Sequence, residues 1–358
     1  AAFGPPAVDP ASGPPGAPPV SAPSVPGSPL PTRPATRAPA AAGFDADFGR
    51  GGPAPSSGFR RLIYVLSGRR IKLGPSSNDT ARDQLLARAR TSAATGRRRI
   101  AMISLKGGVG KTTTTVMLGH TLADVRGDNV IAIDANPDAG NLAQRIRRQS
   151  EMSARDLLNA TGSLERYADV RTYTSQADSR LEVLAGEADP ALSEAFSASD
   201  YEHVLAALER VYSIVLTDCG TGILHDAMRA VLWYADQLVV VTSPAVDSAN
   251  ALGQLLEWLE CHGHHILVES GIVVVNGVRK HSAIRLEQFD QAFGRRCRAV
   301  VRVPYDPALS TGGVVSLEAL LPATRRAYLD LAAAVGDGFS TPRAPGHDPS
   351  DNLSGGLY

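Results

Sequence analysis

"LKGGVGKTTTT", residues 105–115, is the stretch on which the reading of the chain turns. It has the glycines, lysine and threonine of a phosphate-binding loop, G-x-x-x-x-G-K-[ST]. Leu105, however, stands where the first glycine belongs, and a second lysine, Lys106, precedes the glycine pair. The stretch follows the strand-like "RIAMISL" (99–105) and runs into the helix-like "TTTTVMLGHTLADV" (112–125). Strand, loop and helix in that order is the context the motif requires. Gly107, Gly108 and Gly110 let the backbone around Val109 turn tightly, with N–H groups facing inward at phosphate oxygens. The helix beginning near Lys111 aims its positive end the same way. Lys111 is placed to neutralise the β- and γ-phosphates, Thr112 to give its hydroxyl to Mg²⁺, and Thr113 completes the set of loop contacts.

Working outward, residues 100–336 alternate strand and helix. Strands are expected at 129–134, 181–186, 213–218, 236–243, 271–278 and 298–304. Helices are expected at 201–212, at 248–262 and, in "SLEALLPATRRAYLDLAAAV", at 316–335. The β runs are continuous and rich in Val, Ile and Leu, as for strands covered on both faces. The fold class is therefore α/β, with a doubly wound, mostly parallel sheet.

Outside that core the composition changes. Residues 1–57 hold 15 of the 25 prolines, with Gly, Ala and Ser around them. Such a segment buries too little apolar area to offset its ordering entropy, so a disordered tail is expected over 1–58. Residues 59–98 read as a basic extension. "RRLIYVLSG" suits a strand and "TARDQLLARARTSA" a helix with Leu85, Leu86 and Ala89 on one face. Eleven Arg and Lys stand against Asp79 and Asp83 between 59 and 100. That charge suits DNA, an anionic membrane surface or an acidic protein, and equally a solvated helix packed on the main domain. The ATPase-like domain is expected over 99–336 and a loose polar tail over 337–358. Net charge is zero, with 36 basic and 36 acidic residues, so bulk charge selects no partner. Cys219, Cys261 and Cys297 have neither zinc nor redox spacing, which suits a reducing, cytoplasmic setting. No apolar run reaches the roughly 18 residues of an integral membrane segment, and no signal peptide is evident. "CHGHH" (261–265) offers possible metal ligands in Cys261, His262, His264 and His265, but adjacent residues at a helix end point different ways.

Lys106 sits at the mouth of the loop, badly placed for the phosphates of its own chain and well placed for a nucleotide held by a facing subunit. "LKGGVGKT" matches every fixed position of the deviant Walker A motif, x-K-G-G-x-x-K-[ST]. The chain thus resembles the ParA/MinD family of dimerising ATPases, which implies the SIMIBI type of P-loop topology and an ATP-sandwich homodimer. In that family the lysine equivalent to Lys106 contacts the partner's phosphates in trans, as an arginine finger does. The resemblance covers most of 99–335. It implies that Asp134, in "VIAIDANPDAGNL", and Asp218, in "SIVLTDCGTGI", hold Mg²⁺ through water. Gly222 closes a D-x-x-x-G spacing. Asn276, in "VVVNGV", takes the place of the adenine-contacting asparagine. Pro304 and Asp306, in "VPYDPAL" (303–309), belong to the loop that lines the base. One position departs from the family: Asn136 replaces the second Asp of D-x-D. An amide orients water but cannot accept its proton, so slow or partner-dependent hydrolysis is expected, with Asp138 as a substitute.

The arrangement of Pro-rich tail, basic "RRLIYVLSGRRIKLGPS" and ATPase resembles the MinD-like EspI group of actinobacterial type VII secretion systems. It implies an ATPase that assists or regulates secretion with a secretion-system protein partner, at the inner face of the membrane. Two alternatives stay open. One is a partition ATPase binding DNA through 59–100 or Arg145, Arg147 and Arg148. The other is an ATP-binding scaffold with little hydrolysis. A MinD-type membrane helix is not expected, because the C-terminal tail has no apolar face. Cys219 beside Asp218 reads as a small buried residue rather than a cluster ligand.

Overall fold

The structure is a computed structural model that describes residues 77–340, apart from 93–95, 137–139, 165, 188, 190–192, 194–195, 223–224, 281 and 283–285. The Pro-rich tail, the expected strand over 60–68, Asp138 and residues 341–358 therefore lie outside the described residues.

Eight strands form one sheet: β1 (Arg98–Ile103), β2 (Val130–Ala135), β3 (Ser175–Gln176), β4 (Glu182–Leu184), β5 (Ile214–Cys219), β6 (Gln237–Thr242), β7 (Ile272–Val278) and β8 (Ala299–Pro304). Their order is β3-β4-β2-β5-β1-β6-β7-β8. Every pair is parallel except the short β3, which lies antiparallel to β4. The longer helices are α1 (Ser77–Ala89), α2 (Lys111–Val125), α3 (Ala198–Leu208), α4 (Asp226–Tyr234), α5 (Val246–Cys261), α6 (Leu286–Phe293) and α7 (Pro322–Asp337). The doubly wound, mostly parallel sheet expected from the β/α alternation is present. β3, α4 and α6 are additional to it.

Burial explains the continuous apolar strands. In β1, Ile100 and Met102 pack with α1, α2 and α7, while Ala101 and Ile103 pack with α3, α4, α5 and α6. Both faces of the sheet are covered, so successive residues must all be apolar. The helix α2 is less obvious from propensity, because four consecutive threonines are stiff at χ1. Thr113, Thr114 and Thr115 are buried there. The hydroxyl of Thr115 donates to the Lys111 carbonyl at 3.0 Å and that of Thr121 to the Met117 carbonyl at 2.7 Å. Packing and these local bonds override the poor propensity.

The basic residues that open β1 are not surface groups. Arg98 and Arg99 are buried. Arg99 pairs with Glu209 and donates to the Tyr234 carbonyl at 3.1 Å. Arg98 donates to the Phe339 carbonyl. Arg90 is bound to the Val125 carbonyl at 2.8 Å. Of the two readings of the basic helix, α1 follows the packed one. Leu85 and Ala89 are buried against α7, and Arg88 forms a two-pronged pair with Asp337 at 3.0 and 2.6 Å. The packed chain continues past α7 to Phe339, which is fully buried beneath Arg98 and Arg126.

The last helix was expected from 316, but α7 begins at Pro322 in its first turn. Proline has no N–H and clashes with a preceding helical turn, so the helix starts there rather than running through. No helix among the described residues is long and apolar enough to cross a membrane.

The α1–α7 contact is tight enough to require a glycine. A Cβ at Gly336 would stand 2.1 Å from the Arg88 carbonyl oxygen and 3.0 Å from the Ala89 Cα. At an open helical site Gly→Ala stabilises by roughly 0.5–1 kcal/mol. Gly336→Ala is expected to do the reverse and lower the melting temperature by several degrees, through overpacking of about 1–3 kcal/mol. Gly253→Ala in α5, where a Cβ meets nothing within 4 Å, should hold or raise it. Thermal unfolding of the two variants side by side checks this.

Candidate nucleotide site

The strand order changes direction at β1, which lies between β5 and β6. Open parallel sheets bind ligands beyond the carboxyl ends of their strands at such a switch point. Here that place is a cavity of about 500 Å³. Its floor is the loop after β1: Lys106, Gly107, Gly108, Val109, Gly110, Lys111, Thr112 and Thr113 all line it. Asn136, Asn141 and Arg145 form one wall, and Asn276, Pro304, Tyr305, Asp306 and Leu309 another.

The loop conformation rests on its glycines. Gly108 and Gly110 have φ of +74° and +90°, the left-handed region that favours glycine. At Gly110 a Cβ would also lie 2.1 Å from the Asn276 amide nitrogen. That amide donates to the Val109 carbonyl at 2.9 Å. Asn276 thus joins the end of β7 to the loop after β1.

Beneath the loop lies a buried charge cluster. The Lys111 ammonium sits 2.7 Å from Asp218 Oδ1, with the two side chains 8% and 1% exposed. The Thr115 hydroxyl, whose one proton is shared with the Lys111 carbonyl, lies 3.1 Å from the same Asp218 oxygen. The β2–β5 register sets Asp134 directly beside Asp218. Asp134 is bound by the N–H of Leu142 at 2.9 Å and of Asn136 at 3.2 Å. Burial first, and then the Asp218 charge, push its carboxyl up to about 7 despite those bonds. A Cβ at Gly140 would fall 1.9 Å from Asp134 Oδ1, so only glycine lets the following turn close over this carboxylate.

The donor set fits a nucleotide with a divalent cation. Loop N–H groups and Lys111 suit phosphate, while Thr112, Asp134 and Asp218 supply hard oxygen atoms for Mg²⁺. Lys106 is at the rim, but its ammonium pairs with Asp247 at the start of α5, both side chains being exposed. Asp306 lines the cavity with its carboxylate already committed. It accepts from the Ala308 N–H at 3.0 Å and the Leu321 N–H at 2.8 Å, which fixes the loop after β8. Asn136 is on the wall, where its carbonyl accepts from Ser193 at 3.0 Å.

Residues 97–266 match a family described as an AAA domain. The ESX-1 secretion-associated protein EspI of Mycobacterium tuberculosis is 37% identical over 289 residues, 79% of this chain and 42% of its own length. The chain therefore spans less than half of that relative. MinD of Bacillus subtilis is 26% identical over 182 residues, 51% of this chain and 65% of its own. In fold, the ParA family ATPase of Chlorobium tepidum superposes with a TM-score of 0.58 at 20% identity, covering 66% of this chain and 98% of its own. MinD of Pyrococcus horikoshii, solved with Mg-ADP, gives 0.54 at 22% identity, covering 66% and 94%. The chain belongs to the ParA/MinD family.

Within this member, sequence reasoning missed several cavity groups. Arg145 was weighed only as a DNA contact, yet it faces the cavity, whereas Arg147 and Arg148 are exposed. Thr115 and Gly140 were passed over as parts of a helix and a turn. Their signal lay in register: Thr115 is one helical turn after Lys111, and Gly140 follows the Asp134 strand. Cys219 is buried at the end of β5, with its thiol pushed up to about 12 by burial. His262 of "CHGHH" stacks on Trp258 at 4.0 Å and shares a 2.7 Å bond with the Trp258 carbonyl.

Because Gly110 combines a left-handed φ with the close approach of Asn276, Gly110→Ala should disrupt the loop. A loss of ATP affinity of at least about tenfold is expected in a fluorescent-nucleotide titration, equivalent to about 1.4 kcal/mol. Gly127→Ala, with nothing within 4 Å of the new Cβ, should bind as the parent does.

Proposed function

We propose that the chain is an ATP-binding and ATP-hydrolysing switch that dimerises around its nucleotide and serves protein secretion of the type VII kind. The observation that carries the reading is the lysine pair of one loop in two settings. Lys111 is buried beneath the cavity beside Asp218, and Lys106 is exposed at its rim, paired with Asp247. The first setting suits neutralisation of phosphates in cis, where the buried ammonium exchanges Asp218 for the triphosphate. The second suits reach across an interface, because an exposed ion pair is worth only about 0–1 kcal/mol and releases its lysine easily.

In this reading the loop N–H groups and Lys111 hold the β- and γ-phosphates. Thr112, Asp134 and Asp218 would hold Mg²⁺, which would supply charge neutralisation at the reacting phosphate. Asn136 orients the attacking water, and Lys106 of a second copy stabilises the developing charge. An amide at 136 cannot take the water's proton, so turnover is slow until a partner completes the site. The secretion role is supported by the similarity to EspI, whose own description is secretion-associated. Such a role places the protein on the cytoplasmic side, reaching the inner face of the membrane through a secretion-system partner.

Light scattering with and without ATP, followed by phosphate release, tests the switch. An ATP-dependent dimer with release is expected, whereas a dimer without release would make the protein a scaffold. Lys111→Ala should abolish ATP binding. Lys106→Ala should keep ATP binding but lose the dimer by roughly tenfold to hundredfold, the 1.5–3 kcal/mol of one charge-assisted contact. Mixing the two variants is the sharper measurement. ATP held by the Lys106→Ala chain meets the intact Lys106 of the other chain, so some hydrolysis should return. A Lys106→Ala protein that dimerises and hydrolyses like the parent would sink the trans role. Separately, Asn136→Asp should raise basal phosphate release, and an unchanged rate would remove Asn136 from the water-orienting role.

A further inference from the structure

Arg145 is the last residue of a 3₁₀ turn, Leu142–Arg145, that follows the Asp134 loop. Its backbone is held from both sides. Leu142 and Ile146 are buried, and the Arg145 carbonyl accepts the Val315 N–H at 2.9 Å. The side chain is left to line the cavity beside Gly312. There its Nε and Nη1 are buried and find no hydrogen-bond acceptor among the described residues. His120 Nε2 and Arg298 Nη2 share that lack, but neither residue lines this cavity. Nη1 lies beside Gly312, 3.8 Å from where a Cβ would stand, so it packs against the Gly312 backbone at the edge of the cavity.

A desolvated, unpartnered guanidinium is costly and is seldom kept without a use. Burial lowers the Arg145 pKa, and the Asp218 carboxylate opposes that shift, which sets Arg145 in the same electrostatic field as Lys111. The planar fork of an arginine fits two oxygens of one phosphate, as an ammonium does not. We infer that Arg145 is a nucleotide-binding residue of its own chain, whose guanidinium donates to oxygens of the nucleotide's phosphate chain. The inference rests on the nucleotide site proposed above and adds a second phosphate-binding cation in cis, distinct from Lys106 and Lys111.

The test uses the full chain and the variants Arg145→Met, Arg145→Lys and Arg145→Gln, with Lys111→Ala alongside. Two quantities are read: the melting temperature without nucleotide, and the affinities for fluorescent ADP and ATP. Nε and Nη1, without an acceptor among the described residues, tie no element together in the nucleotide-free protein. Arg145→Met should therefore leave that melting temperature unchanged or raise it, while weakening ADP and ATP tenfold to hundredfold. Arg145→Lys should recover part of the affinity and Arg145→Gln none, because the recipient is an anion. A melting temperature that falls by several degrees in Arg145→Met would make the residue structural and overturn the inference. Full affinity in Arg145→Gln would overturn it too, by pointing to a neutral ribose contact. Parental affinity in Arg145→Met with loss in Lys111→Ala overturns this inference alone. Parental affinity in both overturns the nucleotide site itself.

Discussion

Two carboxylates and one ammonium are buried together at the carboxyl ends of β2 and β5. Asp218 and Asp134 are side by side because parallel strands set them in register, and Lys111 reaches them because the loop after β1 turns straight into α2. A buried ion pair is weak evidence of stability, since desolvation of both charges offsets most of their attraction. It is strong evidence of constraint. Moving Lys111 away leaves Asp218 uncompensated beside Asp134, whose carboxyl is already pushed up to about 7 by burial and then by the Asp218 charge. The cluster is one positive charge short, which is the condition a divalent cation relieves. The loop above it is tied to β7 by the Asn276 bridge to Val109, and Gly140 packs against the Asp134 carboxylate where no side chain would fit.

The elements that sequence resolves well are those whose constraint is local. The glycine loop needs left-handed φ, and only glycine supplies it freely, so Gly108 and Gly110 announce themselves. The central strands read as continuous apolar runs because both sheet faces are covered. What escapes is set by distant partners. Arg98 and Arg99 look like part of a basic patch, because nothing nearby in sequence discloses Glu209, Tyr234 or Phe339 as their partners. Asp306 reads as a residue of the base loop, and it does line the cavity. That its oxygens cap Ala308 and Leu321 is a fact of the loop's path. β3 is two residues long and carries no periodicity of its own. Pro322 was visible, and the overlong helix shows apolar spacing given weight over a residue that forbids the preceding turn.

The cations around the cavity differ in what frees them, and this orders the steps of a nucleotide-driven switch. Lys111 must leave a buried carboxylate, so it moves only when an equal or larger negative charge arrives. Arg145 has no acceptor among the described residues to give up at Nε and Nη1, so a phosphate that reaches it replaces a desolvation cost with a charged hydrogen bond. Lys106 is held by an exposed aspartate, where solvent screens the pair and little is lost on release. In the proposed switch, the buried groups would thus be engaged by the ligand of their own chain, and the exposed lysine would stay available for a later encounter with a second subunit. Had Lys106 been buried like Lys111, freeing it would cost several kcal/mol per uncompensated charge, and an interface would have to recover that before it gained anything. In the proposed switch, a weak surface latch on the residue that would cross between chains would let binding come before dimerisation.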